Sequence, residues 1–296
     1  MTIIGIRKIT YAISGVLVVA SVVALVFWGL KLGIDFTGGS LLEVEYKDVR
    51  PENAVVSEHL KEIGIESVVI QSTGEKGVIL RFQNVDEIIH QQILTSLFKS
   101  GEIIEKRFDS IGPTIGSELK RKSLWAIILT LLLIVLYIAW AFRKVSRPIS
   151  SWKYGISAII ALGHDVLIPT GLFSYLGHFY LVEADTLFVT AILTILGFSV
   201  HDTIVVFDRI RERLINSNGK EGFEDVIEKS IRSTVGRSIN TSLTVMIVMA
   251  ALYFFGGQST KFFSLAIMVG VFFGTYSSIF IASALLVSWY KRLQKS

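Results

Sequence analysis

Residues 123–142 read SLWAIILTLLLIVLYIAWAF and contain no charged side chain. A helix needs about 20 mostly apolar residues to cross the hydrocarbon core of a bilayer, which is roughly 30 Å thick. The whole chain has the same character, since 51% of its 296 residues are hydrophobic, 18% are charged and its mean hydropathy is +0.59. Soluble domains carry about 25% charged residues. The composition therefore favours an integral membrane protein and excludes a disordered chain.

Five further segments have the length and apolar character of a membrane span, so the sequence predicts a membrane α-helical bundle of six spans. We expect the first span to be an uncleaved anchor, because its apolar stretch is longer than the about 7–15 residues of a signal peptide; a cleaved signal is the alternative. The predicted spans are Ile9–Leu30, Ser123–Phe142, Tyr154–Tyr175, Thr186–Phe207, Ser238–Phe255 and Phe263–Tyr290.

Lysine and arginine are distributed unevenly around these spans. Of the 17 basic residues outside 31–122, 16 lie at the two termini or in the loops after spans two and four, and Lys261 is the exception. Because cytoplasmic loops are enriched in basic residues, we expect both termini in the cytoplasm. The formal net charge of +4 is then a signal of topology, and no nucleic-acid partner is expected. The chain has no cysteine, which excludes disulfides and cysteine zinc sites.

Residues 31–122 are the largest segment between two predicted spans. Their hydrophobic patterns predict the order β-α-β-β-α-β, which is typical of a ferredoxin-like α+β domain. We therefore predict three parts. Residues 1–30 are the cytoplasmic N-terminus and first span, residues 31–122 are an extracytoplasmic, periplasmic domain, and residues 123–296 are spans two to six with cytoplasmic loops and C-terminus.

Two acidic residues, Asp165 and Asp202, lie inside predicted spans. A charge in a span costs about 2.5–3.5 kcal/mol on insertion scales, so such residues are functional candidates. The residues alone leave a transport role and a structural role for Asp202 equally open. Arg237 opens span five on the same side, where it either pairs with Asp202 or fixes the topology. His164, beside Asp165, either titrates or makes a structural hydrogen bond.

Three stretches carry a resemblance to a known family. Residues 33–39 read GIDFTGG after span one, residues 111–119 read IGPTIGSEL before span two, and residues 200–212 read VHDTIVVFDRIRE at the end of span four. Together they closely resemble the SecF branch of the SecD/SecF family, which is part of the RND superfamily, and the resemblance covers essentially the whole chain. One departure is His201, which stands where the family usually has asparagine.

The resemblance implies a subunit that pairs with SecD and assists the SecYEG channel in exporting preproteins across the bacterial inner membrane, driven by the proton motive force. It implies a proton relay of Asp202, Arg237 and Asp165, with H⁺ as the coupling ion and Na⁺ as the alternative. The supporting polar residues of the bundle are then His164, His201, Thr203 and Asn240. The motif residues with a structural role are Gly33, Asp35, Gly38, Gly39, Gly112, Pro113 and Gly116.

Enzymatic activity is not expected, because the sequence contains no HExxH, GxSxG or P-loop motif. We predict no catalytic residue, no cofactor and no metal site, with the lipid bilayer as surroundings. Two other functions stay open, namely half of an RND-type small-molecule exporter and a passive assembly factor of the translocon. Gly270 and Gly274 form a GxxxG pattern that packs either against a partner or within this chain.

Overall fold

The computed structural model describes residues 2–143, 149–217 and 220–294. Three basic residues used in the orientation argument, Lys144, Arg147 and Lys295, lie outside these ranges. The strands are β1 Gly39–Tyr46, β2 Val69–Thr73, β3 Gly77–Phe82 and β4 Ile103–Ile111. The helices are α1 Arg7–Trp28, α2 Ile34–Thr37, α3 Asn53–Glu62, α4 Glu87–Phe98, α5 Pro113–Ala141, α6 Ser151–Tyr180, α7 Thr186–Ser217, α8 Phe223–Phe255, α9 Gln258–Ser277 and α10 Ser283–Leu293. A π-helical segment, Ser278–Ala282, joins α9 to α10.

The chain divides into two compact units, one formed by Met1–Lys31 with Ala126–Ser296 and the other by Leu32–Trp125. Within the described residues, six helical segments are long and apolar enough to cross a membrane, namely α1, α5, α6, α7, α8 and the continuous α9–α10. The predicted number of spans is therefore confirmed. In α6, α7 and α9–α10 half or more of the apolar window is buried inside the protein, whereas α5 and α8 bury 6% and 11%. The segments α6, α7 and α9–α10 therefore form the centre of the membrane unit.

Three helices extend well beyond the predicted spans, and one of them is α5, which begins at Pro113 although span two was predicted to begin at Ser123. The sequence analysis ended span four at Phe207 and began span five at Ser238, but α7 continues to Ser217 and α8 begins at Phe223. Charged side chains support these extensions, because pairs three or four residues apart lie on one helix face. Two such pairs are Arg211–Asp208 at 3.6 Å and Arg232–Glu228 at 2.9 Å.

The second unit is a four-stranded antiparallel sheet with two helices, α3 and α4, between its strands in the chain. The strand order is β2-β3-β1-β4, so β1 and β3 lie in the middle. Buried and half-buried residues alternate along β1, as expected for a sheet with one covered face. Its core includes Leu42, Leu80 and Ile93, all fully buried. Asp86 accepts a hydrogen bond from the Ile89 amide at 3.0 Å and caps α4.

Candidate functional site

Asp202 lies on α7 and is buried, with 5% of its surface exposed. Two serine hydroxyls donate to its carboxylate, Ser238 from α8 to Oδ1 and Ser278 from the π-helical segment to Oδ2. These donors come from two different helices packed against α7. The carboxylate is therefore enclosed by hydroxyl groups at the junction of three membrane segments.

Asp165 lies on α6 and is fully buried. Its neighbour His164 approaches Oδ1 with Nδ1 at 2.8 Å. On the other oxygen, Oδ2, Asp165 accepts hydrogen bonds from Ser199 of α7 and from Ser277 of α9, the latter at 2.7 Å. The second acidic residue thus has a histidine and two hydroxyls as its partners.

The two carboxylates share an arrangement that is unusual for buried charges. Within the described ranges, no lysine or arginine forms an ion pair with Asp165 or Asp202. An ionised carboxylate removed from water without a cation is expensive, and hydroxyl donors offset part of that cost.

The serines are the part of the site that sequence reasoning missed. Ser199, Ser238, Ser277 and Ser278 are each almost fully buried and each donate to one of the two carboxylates. A signal was present in the run TYSS at 275–278, which places four hydroxyl groups in a row inside an apolar span. Hydroxyl residues are common in membrane helices, so their presence does not identify which carboxylate they serve.

Arg237 does not join Asp202, contrary to the pairing considered from the sequence. Arg237 is exposed and lines a surface depression together with Asp208 and Glu212. The helices α7 and α8 do pack together, but the residue that reaches Asp202 is Ser238. Consecutive residues of a helix point about 100° apart, so only one of the two can face the carboxylate.

The remaining polar candidates are divided between the interior and the surface. His164 and Thr203 are buried, with 5% and 1% of their surface exposed. His201 and Asn240 are exposed, which places them outside the buried cluster. Neither Nε2 of His164 nor Oγ1 of Thr203 has a hydrogen-bond partner among the described residues.

The two glycine-rich stretches meet within the second unit. Gly38 and Gly39 have φ angles of +74° and +126°, which side chains other than glycine rarely adopt. A Cβ on Gly116 would lie 2.8 Å from the Gly38 nitrogen, so the backbones are in close contact. Gly33 precedes the short helix α2 in extended conformation, and Asp35 lies in its first turn. Gly112, with open space around it, directly precedes Pro113 at the start of α5.

The GxxxG pattern of span six packs within this chain. A Cβ on Gly270 would lie 2.2 Å from Cδ1 of Ile195, and one on Gly274 would lie 3.2 Å from Cβ of Ser199. Both contacts are with α7, so the small residues bring α9 close to the helix that carries Asp202. No group of three or more potential metal ligands occurs among the residues that the structure describes.

Comparison with known proteins agrees with this arrangement. The family model "Protein export membrane protein SecD/SecF, C-terminal" matches residues 90–292, and the "SecD/SecF GG Motif" model matches residues 23–48. The protein translocase subunit SecF of Thermobaculum terrenum is 46% identical over 96% of this chain and 92% of its own length. The corresponding protein of Haemophilus influenzae is 37% identical over 95% of this chain and 83% of its own length.

Solved structures give the same result. The crystal structure of SecDF from Thermus thermophilus, described as a translocon-associated membrane protein, has a TM-score of 0.83 at 31% identity and covers 98% of this chain. SecDF in its super-membrane-facing form has a TM-score of 0.70 at 32% identity. The present chain spans 38% and 39% of those two chains. From the family models, the identities and the common fold, we conclude that the chain belongs to the SecD/SecF family of protein export membrane proteins, in its SecF branch.

Proposed function

We propose that this chain is the SecF-type subunit of a SecD–SecF complex that uses the proton motive force to assist export of preproteins through SecYEG. Asp202 and Asp165 would carry the protons, and Arg237, which is exposed in this structure, would join them in another conformation of the bundle. The observation that carries the proposal is the pair of buried carboxylates held by hydroxyl groups with no lysine or arginine paired to them in the described ranges.

A proton carrier must exist in both charge states during a cycle. The serine donors stabilise the ionised form, while burial favours the neutral form. The two effects oppose each other at Asp202. A fixed ion pair with arginine would instead hold the carboxylate permanently charged.

For the orientation, we propose that both termini lie in the cytoplasm and that residues 31–122 form a periplasmic domain in the inner membrane protein. The support is the distribution of basic residues, 16 of the 17 outside that segment lying on one predicted side. The antiparallel order β2-β3-β1-β4 and the element order β-α-β-β-α-β support a ferredoxin-like assignment of this domain.

For the partners, we propose that SecD supplies the other half of an RND-type membrane module. The chain covers 38% of the SecDF chain of Thermus thermophilus, so the larger part of that protein has no counterpart here. Apolar side chains of α5 and α8, such as Leu129, Leu132 and Ile247, are exposed and would face lipid or SecD. We propose that no nucleic acid and no resident cofactor take part.

The test compares Asp202→Asn with Asp208→Asn in SecD–SecF complexes reconstituted with SecYEG. Asp208 lies on the same helix six residues further on, but its side chain is 63% exposed. We expect Asp202→Asn to abolish the export stimulation that a proton gradient provides while the complex still assembles, and Asp208→Asn to retain it.

Four outcomes would contradict the proposal. Normal stimulation in the Asp202→Asn complex, or stimulation without any gradient, would favour a passive assembly factor. Stimulation by a sodium gradient in the absence of a proton gradient would identify Na⁺ as the coupling ion. Gradient-driven efflux of a small molecule without an effect on export would favour the exporter function.

A further inference from the structure

Ser277 and Ser278 are consecutive residues, yet their hydroxyls serve carboxylates on two different helices. Ser277 donates to Asp165 on α6 at 2.7 Å, and Ser278 donates to Asp202 on α7. A single peptide bond therefore links the two acidic residues through their hydrogen-bond donors. Among the described residues, these two serines are the only neighbouring pair that contacts both carboxylates.

Each of these serines also has a second acceptor within its own helix. The Ser277 hydroxyl lies 3.1 Å from the Gly274 carbonyl oxygen, and that of Ser278 lies 2.9 Å from the Thr275 carbonyl oxygen. A hydroxyl carries one proton and can donate one full hydrogen bond at a time. An ionised carboxylate is the stronger acceptor, because charge-assisted hydrogen bonds are about twice as strong as neutral ones. When the carboxylate is protonated, the hydroxyl is free to return to the carbonyl of its own helix.

The backbone at this point is able to take part in such an exchange. The π-helical segment begins at Ser278, and the hydroxyl of Ser283 donates to the Ser278 carbonyl oxygen at 2.9 Å. Single π turns inside α-helices are rare and occur frequently at functional sites. A change in backbone geometry at Ser278 also moves Ser277, because the two share a peptide unit.

We propose that Ser277 and Ser278 are positioning residues that couple the protonation of Asp202 to that of Asp165 through the π-helical segment. The proposal rests on the proposed function in one respect, namely that these carboxylates exchange protons. It adds that the two sites do not titrate independently, and that the link is the serine pair. The observation behind it is that each serine chooses between a carboxylate and a carbonyl of its own helix.

Other ionisable groups near the two carboxylates are few. His164 contacts Asp165 on α6, and His201 is the ionisable neighbour of Asp202 on α7. The partners supplied by α8, α9 and the π-helical segment are the uncharged Ser238, Ser277 and Ser278. The competing explanation for any coupling is therefore direct repulsion between the two carboxylates, which does not depend on the serines.

A labelling experiment separates these two explanations. The SecD–SecF complex in liposomes is treated with N,N′-dicyclohexylcarbodiimide, to which a protonated carboxyl group adds, and the modified aspartate is mapped by mass spectrometry over a pH series. The quantity measured is the pH midpoint of Asp165 labelling, with and without Asp202→Asn. The comparison is made with native serines, in Ser277→Ala/Ser278→Ala, and in the two single serine variants in case the double variant fails to assemble.

The quantity compared is the shift that Asp202→Asn causes in the pH midpoint of Asp165 labelling. We expect this shift in the Ser277→Ala/Ser278→Ala background to differ from the shift with native serines by about one pH unit, which is a tenfold change in proton affinity. The matched control is Ser264→Ala. Ser264 is fully buried on α9 but donates to the Thr260 carbonyl, so the control should preserve the native effect.

Two results would overturn the inference. An effect of equal size with and without the serines would assign the coupling to direct repulsion, and no effect in either background would show independent sites. The labelling is read without a gradient and without export. A complex that assists export passively would therefore contradict the proposed function while the labelling result still decides on the coupling.

Discussion

The backbones of Gly38 and Pro113 lie so close that a Cβ on Gly38 would approach the α-carbon of Pro113 to 2.8 Å. The two residues belong to separate glycine-containing motifs 75 positions apart in the chain. Gly38 also has φ +74° and ψ 166°, a region of backbone conformation that is essentially restricted to glycine. The contact explains why position 38 has no side chain, and the approach of Gly116 to the Gly38 nitrogen explains the same for position 116.

We predict that Gly38→Ala destabilises the second unit, because it adds both backbone strain and a clash. Strain in this region costs about 1–3 kcal/mol, and overpacking costs about as much again. The measurement is thermal unfolding of the full-length protein in detergent, followed by protease resistance of residues 32–125. Gly112→Ala is the control, since nothing lies within 4 Å of its Cβ position and its φ is ordinary. Equal stability of the two variants would contradict the explanation.

Helix packing in the membrane unit gives a second prediction. Gly270→Ala would place a methyl group 2.2 Å from the fully buried Ile195 side chain, so we expect a loss of about 1–3 kcal/mol from overpacking. Gly236 lies on α8 and has nothing within 4 Å of its Cβ position, so Gly236→Ala should be neutral or slightly stabilising. Retention of the SecD–SecF complex on heating is the measurement. Adding Ile195→Ala should restore part of the stability in Gly270→Ala, and a failure to do so would assign the loss to another contact.

Acid sensitivity of the second unit is expected from an ion pair across β1 and β4. Lys106 approaches Glu45 to 2.6 Å, and its hydrogen bond and charge lower the pKa of Glu45 below the ordinary value. A lowered pKa in the folded state means that the pair stabilises the unit above the unfolded pKa of the carboxyl group, and that this contribution is lost as pH falls through the folded pKa.

We therefore expect native protein and Glu45→Gln to differ in unfolding temperature at pH 7 and to converge near pH 3, with the native protein more stable at neutral pH. Both side chains are nearly half exposed, so the effect is small and should disappear in about 1 M salt. Lys106→Gln removes the same pair and should show the same loss. A difference that persists in acid would contradict the linkage.

The contrast between Ser238 and its neighbours gives the last prediction. Ser238→Ala removes a hydroxyl that donates to Asp202, which leaves a buried carboxylate oxygen without this donor and costs about 1–3 kcal/mol for the ionised form. Gradient-dependent export should fall about 5- to 150-fold if that form is required, on the usual conversion of free energy to rate. Asn240→Ala, on the exposed face of the same helix, should leave export unchanged. Equal effects of the two changes would refute the role of Ser238.

Much of the fold is predictable from local patterns. The apolar run at 123–142, the capping residue Asp86 and the alternation along β1 each depend on residues close in the chain. Helix ends were less predictable. The extension of α7 to Ser217 follows a segment rich in charges, and hydropathy separates lipid from water without separating helix from loop.

The site was predictable in its acids and not in their partners. Asp165 and Asp202 stand out because charges are rare inside apolar spans. Arg237 was considered as a partner because it opens span five on the side where span four ends, but its neighbour Ser238 faces the carboxylate. A rotation of one residue on the helix decides between the two, and only the packing of α8 against α7 fixes that rotation.

The sequence by itself determined the membrane class, the six spans and the two buried acids, because apolar length and isolated charges are properties of contiguous residues. Tertiary structure decided which hydroxyls serve each acid. The serines that donate are distant in the chain, since Ser199 is 34 residues from Asp165, and Ser238 and Ser278 are 36 and 76 residues from Asp202. Tertiary structure also decided that Gly270 faces Ile195 within the chain. These contacts depend on how helices rotate against one another, and that rotation is set by the packing of the whole bundle.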